Sequence, residues 1–185
     1  MNKNFKYLKV KGVEAMELML WLDRGLHIFF GVLWIGLLYY FNFVQVPAMA
    51  EAANDSDGPG PAAIGKYVAP RALMWFRHAA LWTWLTGFYY MMSKYGHSAW
   101  MLGVGEESIA TTSIGIGAWL GTIMLFNVWV LIWPNQKKVL GIVSATDDEK
   151  ASAKRVAFLA SRTNTMLSIP MLMFMMASNH GLPLF

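Results

Sequence analysis

Four long stretches of this chain contain no Asp, Glu, Lys or Arg, and they restrict its possible folds more than any other feature. They are residues 25–50, 79–93, 108–136 and 163–185. About 20 apolar residues of α-helix span the hydrocarbon core of a bilayer. The first and third stretches are long enough alone, and the others are long enough if their helices carry Arg77 and Arg162. The sequence therefore predicts transmembrane helices at about 17–46, 71–95, 109–133 and 154–179.

The composition supports this interpretation. Hydrophobic residues make up 56% of the chain and charged residues 14%, whereas an ordinary soluble domain has about 25% charged residues. Such a chain is too apolar for intrinsic disorder, and it has too few polar side chains to cover a soluble protein. The expected fold class is all-α, with residues 1–185 forming a single integral membrane four-helix bundle.

The cysteine count and the net charge exclude several kinds of site and partner. The chain has no Cys, which excludes disulfides, thiolate metal sites, iron–sulfur clusters and covalently attached c-type haem. A redox cofactor would therefore be held by His, Met or non-covalent contacts. The net charge is +4, but Lys and Arg collect in the loops of membrane proteins. The lipid bilayer is the expected partner, and no nucleic acid is expected.

Four spans would place both termini and the second connection on one side of the membrane. More of the Lys and Arg residues fall on the opposite side. The positive-inside rule then places the termini outside, which is the periplasm if the chain lies in a bacterial inner membrane. The lysine-rich N-terminal segment favours the reverse orientation.

The histidines are the most informative polar residues, because a polar group at membrane depth is costly and suggests a function. His27 follows Arg24 by three residues, about 4–5 Å inside the terminal side. His180 follows the last apolar run and lies near the same side. The two axial nitrogens of one haem iron are about 4 Å apart, so His27 and His180 are at compatible levels. Each could equally be a hydrogen-bonded structural residue.

His78 is predicted to lie elsewhere, about 24 Å from the terminal side. It is either a second cofactor ligand with a Met partner or part of a polar cluster with Arg77. Arg77 and Arg162 are both predicted one to two turns inside the non-terminal side. Two inward guanidinium groups could hold an anion such as a haem propionate, a quinone-like head group or a small acidic substrate. The alternative is that both side chains extend to lipid head groups.

Four segments carry a resemblance to a known family. They are residues 26–41 (LHIFFGVLWIGLLYYF), 75–87 (WFRHAALWTWLTG), 127–139 (NVWVLIWPNQKKV) and 163–180 (TNTMLSIPMLMFMMASNH). In this order they resemble helices of the urate oxidase membrane-domain family, the membrane part of bacterial cytochrome c urate oxidases, or urate hydroxylases. The Pro-Asn-Gln-Lys and Ser-Asn-His pieces are the more specific ones. Longer members of that family have more transmembrane helices and a C-terminal cytochrome c, which this chain without Cys does not carry.

The resemblance implies a redox-linked membrane protein with His27 and His180 as the histidines that match the family. The first expected function is a b-type haem module in which these two residues are the axial iron ligands and Arg77 or Arg162 lies near propionates or an anionic ligand. It would pass electrons from a substrate or quinol to a separate cytochrome. The second is an accessory subunit of a larger respiratory or oxygenase complex, with other membrane subunits or further copies of this chain as partners. The third is urate oxidation itself.

Overall fold

The computed structural model describes residues 3–104 and 108–181, which form helices and no strand. The helices are α1 (Lys3–Tyr39), α2 (Val46–Asn54), α3 (Ala69–Lys94), α4 (Gly96–Trp100), α5 (Ile109–Phe126), α6 (Trp133–Val139) and α7 (Asp147–His180), with π-helical segments at Tyr40–Gln45, Ile64–Val68 and Asn127–Ile132. The first π segment joins α1 to α2, and the third joins α5 to α6. The expected all-α class is confirmed for the described residues.

Two of the continuous helices are long and apolar enough to cross a membrane. They extend over Gly12–Asn54 and Ile109–Val139. Helices α3 and α7 cover the other two predicted spans, but they are less apolar and do not meet the same criterion. Length and composition alone therefore identify two candidate membrane helices among the described residues, whereas the sequence analysis expects four.

Each π segment lies directly before a proline. Pro47, Pro70 and Pro134 occupy the first turns of α2, α3 and α6. The residue before each proline donates its backbone N–H to the carbonyl five residues earlier, as Val46 does to Phe41. A proline has no N–H, and in a regular α-helix its ring clashes with the carbonyl four residues earlier. The wider turn relieves this clash, so the helix continues past Pro47 to Asn54 and past Pro134 to Val139.

The core lies between two pairs of long helices. Helix α1 packs mainly against α3, and α5 packs mainly against α7. Trp34 and Leu38 of α1, Phe76 of α3, Met124 of α5 and Val128 of the third π segment are almost fully buried and belong to one apolar cluster. This cluster joins the two pairs near the middle of the molecule and leaves a cavity on either side of it.

Hydrogen bonds between buried side chains connect the helices within the core. Asn127 donates to the side-chain oxygen of Asn164 at 2.8 Å, and Asn164 donates to the carbonyl of Met124 at 2.9 Å. Ser168 donates to the carbonyl of Thr165, so its oxygen accepts the 2.9 Å bond from Tyr39. Buried polar groups without such partners cost about 1–3 kcal/mol each, and these bonds therefore fix the rotation of α7 relative to α1 and α5.

Helix α7 begins at a capping box. The hydroxyl of Thr146 accepts a hydrogen bond from the backbone N–H of Glu149, and the Glu149 carboxylate accepts one from the backbone N–H of Thr146. Together they provide acceptors for two backbone N–H groups that have no partner within the helix. The hydrogen bonds from the backbone and hydroxyl of Thr146 lower the pKa of Glu149 from its usual value. The start of α7 is thus fixed locally, more than one turn before the predicted span.

Replacing Asn164 by Leu tests the interhelical amide bonds. Asn164 is fully buried, and Leu has a similar volume but leaves Asn127 without its acceptor. We expect Asn164→Leu to reduce the free energy of unfolding by about 1–3 kcal/mol, measured by thermal or denaturant unfolding in detergent. The neighbouring exposed Thr163 provides the control, because Thr163→Leu should change stability by less than about 0.5 kcal/mol. Equal effects of the two substitutions would contradict this assignment.

Candidate cofactor-binding site

A cavity of about 630 Å³ lies between the four long helices on the terminal side of the core. Its walls are mainly apolar, with Ile35 and Val32 from α1, Phe88 from α3 and Met171 from α7. The polar residues that line it include Arg24, His27, Thr83, Asn179 and His180. We call it the His27 cavity. Volumes of roughly 300–1,000 Å³ with apolar walls and few polar groups are typical of cofactor and small-molecule sites.

His27 has a fixed orientation in this cavity. Its Nδ1 lies 2.8 Å from the backbone carbonyl oxygen of Thr83 on α3. A carbonyl oxygen can only accept, so Nδ1 carries the proton and donates it to this bond. In the neutral ring Nε2 then has an available lone pair. A histidine held through one nitrogen by a backbone carbonyl is the usual arrangement of a metal-ligating histidine.

Gly87 provides the space for the His27 ring. A Cβ atom built on Gly87 would lie 2.6 Å from Cε1 and 2.8 Å from Nδ1 of His27. Such distances are shorter than van der Waals contact, so any larger residue at this position would displace the imidazole. Thr83 and Gly87 are four residues apart and face the same side of α3. The backbone of one turn of α3 therefore both accommodates and orients His27.

His180 lies on the last turn of α7 and lines the same cavity. Gly181 ends the helix directly after it, with a φ of +75°, a conformation that favours glycine. The structure thus places His27 and His180, from opposite ends of the chain, on the wall of one cavity. No cluster of three or more His, Cys, Asp and Glu side chains suited to a metal ion is found in residues 3–104 and 108–181. The potential metal donors on the wall of this cavity therefore include two histidines and the thioethers of Met91, Met171, Met175 and Met176.

Trp34 is a buried residue of the cavity wall. It follows His27 by two helical turns, about 10 Å along the axis of α1. Its side chain is 2% exposed, and its indole Nε1 has no acceptor among the residues that the structure describes. An indole N–H normally has a partner when it is buried.

The other predicted site residues lie elsewhere. The guanidinium of Arg77 stacks 3.8 Å from the ring centre of Trp133, and that of Arg162 lies 5.1 Å from the ring centre of Phe158. His78 is exposed, and its Nδ1 bonds to the carbonyl of Met74 in its own helix at 2.8 Å. None of the three is among the described residues that line the His27 cavity.

Sequence reasoning did not identify Thr83, Gly87 or Trp34 as parts of the site. Thr83 acts through its backbone carbonyl, a group that every residue has, so its side chain gives no signal. Gly87 acts by lacking a side chain opposite a residue on another helix. Trp34 looks like any other aromatic residue of an apolar helix. The contact between His27 and a small residue of α3 can be looked for only when it is known that α1 packs against α3.

Comparison with known proteins relates the C-terminal part of the chain to one family. Residues 107–184 match the family described as urate oxidase N-terminal. The match covers α5, α6 and α7, and it includes His180 but not His27. No curated protein and no solved structure matches the chain. The match bears out the resemblance to a urate oxidase-related family over residues 107–184, and the membrane-domain part of that resemblance stays a prediction.

Substitution of Gly87 tests the orientation of His27. We expect Gly87→Ala to displace the imidazole and break its bond to Thr83, because the new Cβ would overlap the ring. The ¹⁵N and ¹H resonances of the His27 ring, assigned by its loss in His27→Ala, would show the change in the protonated Nδ1. Gly121 also lines the cavity, but a Cβ there meets no atom within 4 Å. Gly121→Ala should therefore leave the ring signals unchanged, and the same change in both variants would contradict the assignment.

Proposed function

We propose that this relative of the urate oxidase family is an integral membrane four-helix protein that binds a b-type haem in the His27 cavity and transfers electrons to a separate cytochrome. The observation that carries the proposal is the position of His27 and His180 on one apolar cavity. Within that cavity the orientation of His27 makes Nε2 the available nitrogen.

The surface of the molecule supports a membrane location. Large apolar side chains are exposed along the long helices, including Trp21 and Val32 on α1, Phe126 at the end of α5, and Met166 and Ile169 on α7. Soluble monomers rarely expose contiguous apolar patches of this kind. Two continuous helices are also long and apolar enough to span a bilayer. Helices α3 and α7 would cross with them, and Arg77 and Arg162 would then lie one to two turns inside the non-terminal side.

The residues of the His27 cavity fit a haem. Two imidazoles are a common axial ligand pair for a haem iron that transfers electrons. Apolar walls suit the porphyrin ring. When bound, a haem supplies reversible one-electron chemistry at its iron.

The protein side chains would determine how this chemistry is used. The Thr83 carbonyl holds the Nδ1 proton of His27 and so increases the basicity of Nε2 towards a metal. The apolar walls exclude water and disfavour added positive charge, which affects the reduction potential of a bound group. Arg24 lies at the terminal end of the same cavity, where its charge would face an anionic substituent or an approaching partner. The expectation that Arg77 or Arg162 holds a propionate, and that His78 is a ligand, stays a prediction.

A reduced-minus-oxidised absorption spectrum of the purified protein tests the proposal. We expect a b-type haem α-band and a loss of about ten-fold or more in bound haem in both His27→Ala and His180→Ala, since each removes an iron ligand. His97 is exposed on α4 and does not line the cavity, so His97→Ala is the matched control and should retain haem. A wild-type protein that binds no haem when supplied with it, or equal haem retention in all three variants, would refute the proposal.

A second candidate function is urate oxidation, which the family match favours. Haem-loaded protein would be mixed with urate and an added cytochrome c, and the reduction of that cytochrome followed by absorbance. Urate-dependent reduction that is lost in His27→Ala would support this candidate. Haem binding without any urate-dependent reduction would eliminate it and leave the electron-transfer proposal intact.

A further inference from the structure

A second cavity, of about 790 Å³, lies on the other side of the apolar core from the His27 cavity. It is enclosed by the first π segment, the start of α3, helix α6 and the first half of α7. Its inner wall is apolar and includes Phe41, Leu73 and Phe76, all of which are buried. The cavity opens where α1–α2 meets α3 and α6 meets α7, which is the non-terminal end of the molecule.

The opening of this cavity is positively charged. Lys66, Lys154 and Arg155 line it, and all three are exposed. No carboxylate is found among the described residues that line the cavity. None of the three cations forms an ion pair with another described residue. We call this cavity the basic cavity, and its charge favours an anionic ligand.

A polar layer separates the charged opening from the apolar wall. It consists of Asn42, Gln45 and Gln136. Asn42 is satisfied, because it donates to the Leu38 carbonyl and to the Ser161 hydroxyl, both at 2.8 Å. Gln45 differs: its side chain is 8% exposed, and its Oε1 has no hydrogen-bond partner among residues 3–104 and 108–181. A buried acceptor without a donor is costly. Phosphate and ester oxygens only accept hydrogen bonds, so Gln45 contributes polarity to this part of the wall and not a defined bond to a ligand.

We propose that the basic cavity binds an anionic phospholipid. The phosphate would lie against Lys66, Lys154 and Arg155, the start of an acyl chain against Phe41 and Phe76, and the ester region between them, level with the polar layer. Basic pockets between transmembrane helices are known to bind anionic lipid head groups. The order of charged, polar and apolar zones in the cavity matches the order of these groups in a phospholipid. The inference rests on the membrane location proposed above and is independent of haem.

A lipid accounts for the cavity better than a free anion does. A small anion such as inorganic phosphate would use only the charged opening and would leave the aromatic wall without a partner. An apolar molecule without charge would leave the three cations unused. Only an amphiphile would contact both the charged opening and the apolar wall. In a bilayer that amphiphile is a phospholipid.

The test compares two variants that remove the same charge from the same end of the molecule. The first is the triple variant Lys66→Gln/Lys154→Gln/Arg155→Gln. The control is Lys137→Gln/Lys138→Gln/Lys150→Gln, whose residues do not line the cavity. The full chain is purified in a neutral detergent, and its thermal unfolding midpoint is titrated with phosphatidylglycerol, with phosphatidylcholine and with inorganic phosphate alone. Lipid that is retained through purification is identified by mass spectrometry.

We expect phosphatidylglycerol to raise the unfolding midpoint of the wild type and of the control, and phosphatidylcholine and phosphate to have little effect. Each basic residue near an anionic lipid changes affinity about five-fold, so the first variant should bind phosphatidylglycerol about 100-fold more weakly. Equal weakening in both variants would overturn the proposal, because it would indicate non-specific charge attraction. Equal protection by inorganic phosphate would overturn it in favour of a soluble anion.

The failure of this proposal can be distinguished from that of the membrane location. The location is tested separately, by whether the wild-type chain stays with the membrane fraction after a carbonate wash. A chain that stays in the membrane but does not respond to phosphatidylglycerol would refute the lipid site alone. A chain released by the wash would refute the location from which the lipid inference starts.

Discussion

The carbonyl oxygen of Thr83 belongs to the backbone of α3, so the hydrogen bond that it receives from His27 joins a side chain of one long helix to the main chain of another. This bond requires the two helices to approach closely, and Gly87 permits that approach by leaving space for the ring. The position of the imidazole is therefore set by backbone geometry rather than by a second side chain. The remaining walls of the His27 cavity are arranged around this fixed point.

Polar groups are arranged differently in the two cavities of this apolar molecule. In the His27 cavity a few polar groups lie on a mainly apolar wall, and His27 is held by an interhelical hydrogen bond. In the basic cavity the polarity is graded, from exposed cations through amides to buried aromatic rings. The apolar cluster around Trp34, Leu38 and Phe76 separates the two cavities.

Charge-free runs are a local signal, so the sequence could indicate where the long helices lie. It could not give their ends, because the helices continue past Pro47 to Asn54 and past Pro134 to Val139. It also predicted His27 and His180 at one level, because depth can be counted along a helix. It could not give the direction of a side chain around its helix. Arg77 illustrates this: its depth suggested an inward anion site, whereas its guanidinium stacks on Trp133, a residue of a helix distant in sequence. The roles of Thr83 and Gly87 were likewise hidden, since a carbonyl and an absent side chain leave no trace in composition.

The π segments before Pro47, Pro70 and Pro134 have a consequence for how this chain can change during evolution. A wide turn holds about one residue more than an α turn, so it rotates everything that follows it relative to what precedes it. Loss of a single residue from Tyr40–Gln45 would return that turn to α-helical spacing and rotate Gln45 away from the cavity that it lines. Substitutions in these π segments are thus tolerated more readily than deletions. The number of residues in each segment matters more than their identity.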